Sequence, residues 1–247
     1  MITAYHRPQT LDEALALLTQ PNTLPLGGGT LLSQPTTDPV SVVDLQRLGL
    51  DTLRMNGNEL TIGATCTLQA LLESEHCFDV LKTAIKLEAP INIRNSATVA
   101  GTLVASDGRS TFATMLLALD SRLEIRDSMN KSQVSSLSEF LLTHPKGLIT
   151  SITIPLHTKI AFEFVSRTPA DKPIICAALA QWNSGRTRLT LGGYGKSPML
   201  AMDGTEADGI EIAASNAYHE ANDEWASAEY RTDVAATLAK RCLESLK

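Results

Sequence analysis

The sequence is poor in aromatic residues, which make up only 4% of its 247 residues. Few aromatic side chains means few platforms on which the bases of single-stranded nucleic acid could stack. The formal net charge of −6 also gives no general attraction for nucleic-acid phosphates or for anionic lipids. We therefore expect no nucleic-acid partner and no binding to a charged membrane surface.

Long apolar runs are missing as well. No stretch approaches the roughly 20 apolar residues that span a bilayer. The N-terminal segment, Met1 to Pro8, has no charged start followed by an apolar core, which a signal peptide would require. We expect a cytoplasmic protein with no membrane segment.

Cysteines are few and scattered, and no pair of them has C-x-x-C spacing: they are Cys66, Cys77, Cys176 and Cys242. The five histidines form no H-x-x-x-H pattern. These spacings predict no zinc or iron–sulfur cluster held by this chain alone. A nucleophile elbow of the G-x-S-x-G type is also missing, so we expect neither a metal nor a catalytic side chain.

Three consecutive glycines, Gly27 to Gly29, follow a short strand predicted at Leu24 to Leu26. No Gly-Lys-Ser/Thr follows them, so they are not a P-loop, and their spacing is not G-x-G-x-x-G. Bare backbone N–H groups can converge on a phosphate where no Cβ interferes. A tight turn that needs positive φ explains the triplet equally well, and the local sequence leaves both interpretations open.

A second loop of small and hydroxyl-bearing residues runs from Thr98 to Thr102, with the sequence Thr-Val-Ala-Gly-Thr. It lies between a helix predicted to stop before Pro90 and an apolar helix predicted at Thr111 to Leu119. Two such loops in one domain could bind a diphosphate from two sides. The composition suggests this arrangement but does not establish it.

The remaining pattern predicts a mixture of helices and strands. A capped helix is expected after Thr10, and the Asn56-Gly57 pair predicts a hairpin between Leu53 and Thr65. We place a domain boundary just after Pro155. Beyond it the sequence predicts three strands, which are Ala161–Phe164, Ala177–Trp182 and Arg186–Leu191. An acidic loop follows, and then a long amphipathic helix from Asp223 to Leu246.

Taken in order, the motifs resemble the flavin-binding medium subunit of the molybdenum hydroxylases, the family of the xanthine dehydrogenase and carbon monoxide dehydrogenase flavoproteins. "LGGGTLL" from Leu26 is similar to the family's first flavin loop, and "RNSATVAGTLVASDGRSTFATMLLALDSRLEI" from Arg94 is similar to its second. Three further segments, "TIGATCTLQAL" from Thr61, "LGGYGKSPMLA" from Leu191 and "ASAEYRTDVAATLAKRCL" from Ala226, are similar to other motifs of the family. Five ordered matches cover nearly the whole chain.

The resemblance implies an α+β fold with a two-subdomain FAD-binding region of the vanillyl-alcohol-oxidase (PCMH) type. This region would span residues 1–156, with subdomains of about 1–53 and 54–156, and a C-terminal domain at 157–247 would hold a three-stranded sheet with helices. It also implies FAD, an iron–sulfur small subunit, a molybdopterin large subunit, and electron transfer to NAD⁺ or another acceptor. The substrate would be oxidised on another subunit.

Carried over by position, the resemblance assigns twelve residues of this chain to FAD binding. They are Leu26, Gly27, Gly28, Gly29, Thr30, Leu31, Thr98, Val99, Ala100, Gly101, Thr102 and Thr111. Their expected role is backbone and hydroxyl donation to the diphosphate, while the flavin carries the redox chemistry. No side chain needs to act as an acid or base.

This chain departs from the family pattern at three places. It has Ala100-Gly101-Thr102 where the family usually has Gly-Gly-Asn, Thr111 where it has an aspartate, and Phe164 close to where it has a lysine; Lys172 is the nearest lysine after it. Two alternatives follow. One is a self-sufficient flavin oxidase on the same fold, and the other is a scaffold subunit that has lost FAD.

Overall fold

The computed structural model describes residues 1–34, 38–169 and 171–247. Its strands are β1 (Ile2–His6), β2 (Thr23–Leu26), β3 (Val40–Asp44), β4 (Leu53–Asn56), β5 (Glu59–Gly63), β6 (Arg122–Arg126), β7 (Ser132–Ser136), β8 (Leu148–Pro155), β9 (Lys159–Val165), β10 (Ile175–Gln181), β11 (Thr187–Gly192) and β12 (Met199–Gly204). Its helices are α1 (Leu11–Leu18), α2 (Leu68–Glu73), α3 (Asp79–Glu88), α4 (Ile91–Arg94), α5 (Val99–Val104), α6 (Thr111–Ala118), α7 (Leu137–Thr143), α8 (Ile210–Ala217) and α9 (Ala228–Ser245). The expected α+β fold class is confirmed.

The chain divides into two compact units. The first unit contains residues 1–76, 91–105 and 122–154, and the second contains 77–90, 106–121 and 155–247. The last continuous segment of the second unit thus begins next to the boundary expected at residue 156. The second unit also takes in α3 and α6, which the sequence places in the FAD-binding region.

The first unit begins with a parallel three-stranded sheet of order β1-β3-β2. Thr10 caps α1 by accepting a hydrogen bond from the N–H of Glu13, as the sequence predicts. The helix packs its buried Ala14 and Leu15 against Val43 of the central strand. This packing fixes the carboxyl end of β2, from which the glycine triplet follows.

A five-stranded sheet of order β4-β5-β8-β6-β7 forms the rest of the first unit's β structure. The predicted hairpin is confirmed, since β4 and β5 pair antiparallel around a turn in which Gly57 has φ +60°. Thr67 caps α2 and Thr98 caps α5, each through its side-chain oxygen. The cap at Thr98 places the second small-residue loop at the start of a helix.

The second unit is built on an antiparallel sheet of order β12-β11-β10-β9, so it has four strands where three were expected. The missed strand, β12, contains methionine, alanine and leucine but no β-branched residue, and such a composition does not favour a strand locally. It is stabilised by pairing with β11 along Thr187 to Leu191. Strand β12 therefore forms because it pairs with β11, and not because of its local sequence.

The acidic stretch expected to be a loop contains helix α8, whose Ile210 and Ala214 are buried in the second unit's core. The long C-terminal helix starts at Ala228, five residues later than predicted, because Ser227 caps it and Asp223 lies in the preceding loop. Of the helices in the described ranges, none combines the length and the apolarity needed to cross a membrane.

Candidate functional site

A cavity of about 380 Å³ lies in the first unit. This volume is within the ordinary range for small-molecule sites. Three walls form it: the loop after β2, the loop and helix around α5, and the connection between α7 and β8. The lining residues are Leu24, Pro25, Gly27, Gly28, Gly29, Thr30, Leu31, Leu32, Leu45, Ala64, Thr65, Thr98, Ala100, Gly101, Val104, Ala105, Phe140, His144, Pro145, Gly147, Leu148 and Ile149.

The glycine triplet is packed tightly against the second loop. A Cβ placed on Gly28 would overlap the carbonyl oxygen of Ser96, and one placed on Gly27 would lie 2.8 Å from Oγ1 of Thr98. Gly29 has φ +71°, a left-handed conformation that favours glycine. The φ of Gly29 agrees with the tight-turn interpretation, and Gly28 allows a close approach. The group that approaches Gly28 is the protein's own backbone.

The N–H groups of this first loop are available to a ligand. No described residue accepts a hydrogen bond from the N–H of Gly27, Gly28, Gly29 or Thr30. All four residues are partly exposed and line the cavity. Successive unpartnered N–H groups in a turn make a concave site for an anion such as a phosphate. The first loop thus has the donors that a diphosphate requires.

The second loop differs, because its N–H groups are already used within the protein. Val99 donates to the Cys66 oxygen at 2.9 Å, Ala100 to the Ala64 oxygen at 3.2 Å, Gly101 to Oγ1 of Thr98 at 3.2 Å, and Thr102 to the Thr98 oxygen at 2.8 Å. The loop therefore offers a ligand its surface and the Thr98 hydroxyl hydrogen. Symmetric donation from both loops, as the resemblance implies, is not the arrangement that these contacts favour.

The structure brings most of the twelve assigned residues together. Those that line the cavity are Gly27, Gly28, Gly29, Thr30, Leu31, Thr98, Ala100 and Gly101. Leu26, Val99 and Thr102 are next to them in the chain but are not lining residues. Leu26 ends β2, Val99 is fully buried, and the Thr102 hydroxyl donates to the Thr98 carbonyl oxygen at 2.9 Å.

Thr111 lies in the second unit and is fully buried at the start of α6. Its hydroxyl donates to the carbonyl oxygen of Ala84 at 2.7 Å. Glu88 receives hydrogen bonds there from the Ser110 hydroxyl and the Phe112 N–H. The Thr111 side chain thus has a partner within its own unit and has no exposed surface. Lys172, also in the second unit, holds its ammonium 3.5 Å from a Glu88 oxygen.

The third wall of the cavity was missed by the sequence reasoning. It contains Phe140 of α7, the loop residues His144, Pro145 and Gly147, and the first residues of β8. The Pro-Lys-Gly run at 145–147 is a recognisable turn signal. Nothing in the local sequence shows which surface this turn covers, since that depends on β8 lying between β5 and β6 in the sheet.

The electrostatics of the cavity are simple. Within the described part of the chain, its lining contains no lysine, arginine, aspartate or glutamate, and His144 is its one titratable residue. No group of three or more His, Cys, Asp or Glu side chains in the described residues could hold a metal ion. The cavity is suited to a mainly apolar ligand with an anionic part near the first loop.

The cysteines take no part in this cavity. All four are free and buried. Burial raises the pKa of the Cys66 thiol to about 11 and the pKa values of Cys77, Cys176 and Cys242 to about 12. They are therefore neutral thiols at ordinary pH, and neutral thiols are poor nucleophiles and poor metal ligands.

Comparison with known proteins identifies relatives. A family model described as "FAD binding domain in molybdopterin dehydrogenase" matches residues 1–157. The chain is 27% identical to Escherichia coli K12 "Uncharacterized protein YgfM" over 248 residues, 96% of this chain and 94% of that protein. It is 26% identical to the carbon monoxide dehydrogenase medium chain of Afipia carboxidovorans over 276 residues, 98% of this chain and 96% of that one. The structure titled "Reconstituted CO dehydrogenase from Oligotropha carboxidovorans" superposes with a TM-score of 0.84 at 25% identity, covering 98% of this chain and 96% of the other.

Proposed function

Because the chain belongs to the family of FAD-binding domains in molybdopterin dehydrogenases, we propose that it passes electrons, through FAD, between the other subunits of a molybdenum hydroxylase complex and a soluble acceptor. It is an FAD-binding medium subunit of the molybdenum hydroxylase type and thus a subunit of an oxidoreductase. The acceptor that we propose is NAD⁺ or another electron acceptor. The FAD-binding region would be residues 1–156, and residues 157–247 would form a second domain.

The observation that carries the proposal is that no described residue accepts a hydrogen bond from the N–H groups of Gly27, Gly28, Gly29 and Thr30. They lie beside a largely apolar cavity, so a diphosphate and a planar ring system both find suitable surroundings. The residues present fit FAD. When bound, FAD supplies the chemistry of accepting electrons and passing them on.

This chain's own residues bind and orient the cofactor. The glycine loop is fixed at one end by the pairing of β2 with β3 and at the other by a turn in which the Ser33 N–H donates to the Gly29 oxygen. Its N–H groups are held in place before any ligand arrives, so little ordering is needed on binding. The apolar side chains of Leu24, Leu45 and Val104 line the cavity and offer an apolar surface to the ring systems of the cofactor.

Two partner subunits are part of the proposal. Relatives such as the carbon monoxide dehydrogenase medium chain bear names that place them among the chains of larger enzymes. By analogy, we propose an iron–sulfur small subunit and a molybdopterin large subunit as partners, with oxidation of the substrate at molybdenum. The four free thiols are compatible with a cytoplasmic location for this complex.

The experiment is an absorbance spectrum and metal analysis of the complex purified through a tag on this chain. Flavin, iron–sulfur and molybdenum in fixed proportion, with flavin reduced by the substrate and reoxidised by NAD⁺, is the expected result. Turnover of a substrate by the chain alone would favour the self-sufficient oxidase. A complex that assembles without flavin, even with excess FAD, would favour the scaffold.

A further inference from the structure

Among the described residues that line the cavity, two have aromatic rings, Phe140 and His144, and both lie in its third wall. Phe140 is buried in α7, whereas His144 is exposed just after the helix. Their ring centroids are 5.6 Å apart with an interplanar angle of 71°. Phe140 thus provides a buried support that limits the orientations of the His144 ring.

The backbone of His144 is also fixed. Its φ and ψ are 42° and 61°, in the left-handed region, which is uncommon for residues other than glycine but which histidine adopts more often than most. Its N–H donates to the Phe140 carbonyl oxygen at 2.9 Å and so closes the end of α7. Glycine would end this helix with less strain. The left-handed cap thus fixes the point on the cavity wall from which the His144 side chain projects.

We propose that the imidazole of His144 packs against one of the two planar ring systems of bound FAD. This inference rests on the FAD-binding function proposed above. The other described lining residues are aliphatic or small, apart from the buried Phe140. Among these residues His144 presents an exposed aromatic surface. Flat rings pack favourably on such a surface. The residue is a positioning residue for the cofactor.

The experiment measures the FAD dissociation constant by fluorescence for the full chain, three variants of His144 and one control variant. His144→Asn and His144→Gly remove the ring but tolerate the left-handed backbone, and His144→Phe keeps an aromatic ring. The control is Leu142→Asn, since Leu142 is 82% exposed at the same end of α7 and does not line the cavity. Thermal unfolding of each variant shows that the fold is retained.

We expect the Asn and Gly variants to bind FAD roughly three- to tenfold more weakly, and the Phe variant and the Leu142 control to stay within about twofold of the unaltered chain. Titration with FMN and ADP identifies the ring involved. A loss for FMN alone places His144 at the isoalloxazine, and a loss for ADP alone places it at the adenine. If neither fragment binds, the FAD titration decides.

Unchanged FAD affinity in both ring-removing variants would overturn this inference and leave the proposed function intact. Equal weakening in the Phe variant and in the Gly variant would also overturn it, because ring packing would then not be the cause. Failure of the unaltered chain to bind FAD would instead overturn the proposed function, and this inference with it.

Discussion

Gly28 and Ser96 approach each other so closely that a Cβ at residue 28 would overlap the Ser96 carbonyl oxygen. This contact joins the first glycine loop to the segment that precedes α5, both within the first unit. The lack of a side chain at residue 28 is therefore required by the packing of the protein itself. We propose that FAD binding depends on a different property of the loop, its N–H groups, for which no described residue provides an acceptor.

Gly28→Ala should lower the free energy of unfolding by about 1–3 kcal/mol, because the added methyl group forces two backbone segments apart. Urea unfolding followed by circular dichroism measures this. Gly204→Ala is the matched control, since its added Cβ would have Met202 Cε as its nearest neighbour, at 3.5 Å. Equal stability of Gly28→Ala and the unaltered chain would show that the contact is not rigid. Larger substitutions at residue 28 test the fold rather than FAD binding.

Val104→Glu should weaken FAD binding more than Val104→Gln does, by roughly five- to tenfold, because a carboxylate in the cavity repels the cofactor's diphosphate. Val104 is suited to this test because it lines the cavity at the end of α5 and is 59% exposed, so either side chain can be accommodated. Fluorescence titration with FAD gives both constants. If the two variants have the same affinity, the diphosphate does not bind in this cavity.

The four cysteines should resist labelling in the folded protein. Burial raises their pKa values to about 11 for Cys66 and about 12 for the others, so at pH 8 almost no thiolate is present. Dithionitrobenzoate at pH 8 should detect all four thiols only after unfolding in guanidinium. Rapid labelling of the native chain would show that at least one thiol is accessible and ionised.

Asp223→Asn should destabilise the second unit by about 2–4 kcal/mol at pH 7, because the fully buried Arg231 would lose its carboxylate partner. The Asp223 oxygens lie 2.8 and 2.9 Å from one guanidinium nitrogen. Burial alone would raise the pKa of Asp223. Hydrogen bonds from Arg231 and from the N–H groups of Trp225 and Ala226 outweigh that effect and lower it.

A carboxyl whose pKa is lowered by folding stabilises the native state above its unfolded value of about 3.9, and this stabilisation is lost as the pH falls through the folded value. The difference in unfolding free energy between Asp223→Asn and the unaltered chain should therefore be constant near neutral pH and shrink below about pH 4. Urea unfolding at several pH values measures it. A difference that does not depend on pH down to pH 2 would exclude this ion pair as the cause.

Local signals in the sequence were enough for many elements of the fold. Thr10 caps a helix as predicted, and the Asn56-Gly57 hairpin forms. These features depend on a few neighbouring residues. Strand β12 was missed because its residues do not favour a strand and its pairing with β11 supplies the stabilisation. Helix α8 was missed because the acidic character of the stretch obscures its two buried positions.

The candidate site was predictable only in part for a similar reason. The glycine loop and the start of α5 are continuous motifs, and both line the cavity. The carbonyl oxygens of Cys66 and Ala64 accept hydrogen bonds from N–H groups of the second loop. The sequence does not predict these bonds, because they depend on which segments lie beside the loop in the fold. The wall at Phe140 and His144 likewise depends on the strand order of a sheet whose members are far apart in the chain.

We propose that the N–H groups of the first loop, and not those of the second, bind the diphosphate of FAD. Amide NMR of the ¹⁵N-labelled chain during titration with FAD tests it most directly. We predict large shift changes for the amides of Gly27, Gly28, Gly29 and Thr30 and small ones for Val99 to Thr102, which are already hydrogen-bonded. Large changes confined to the second loop, with the glycine amides unaffected, would show that the first loop does not bind the diphosphate.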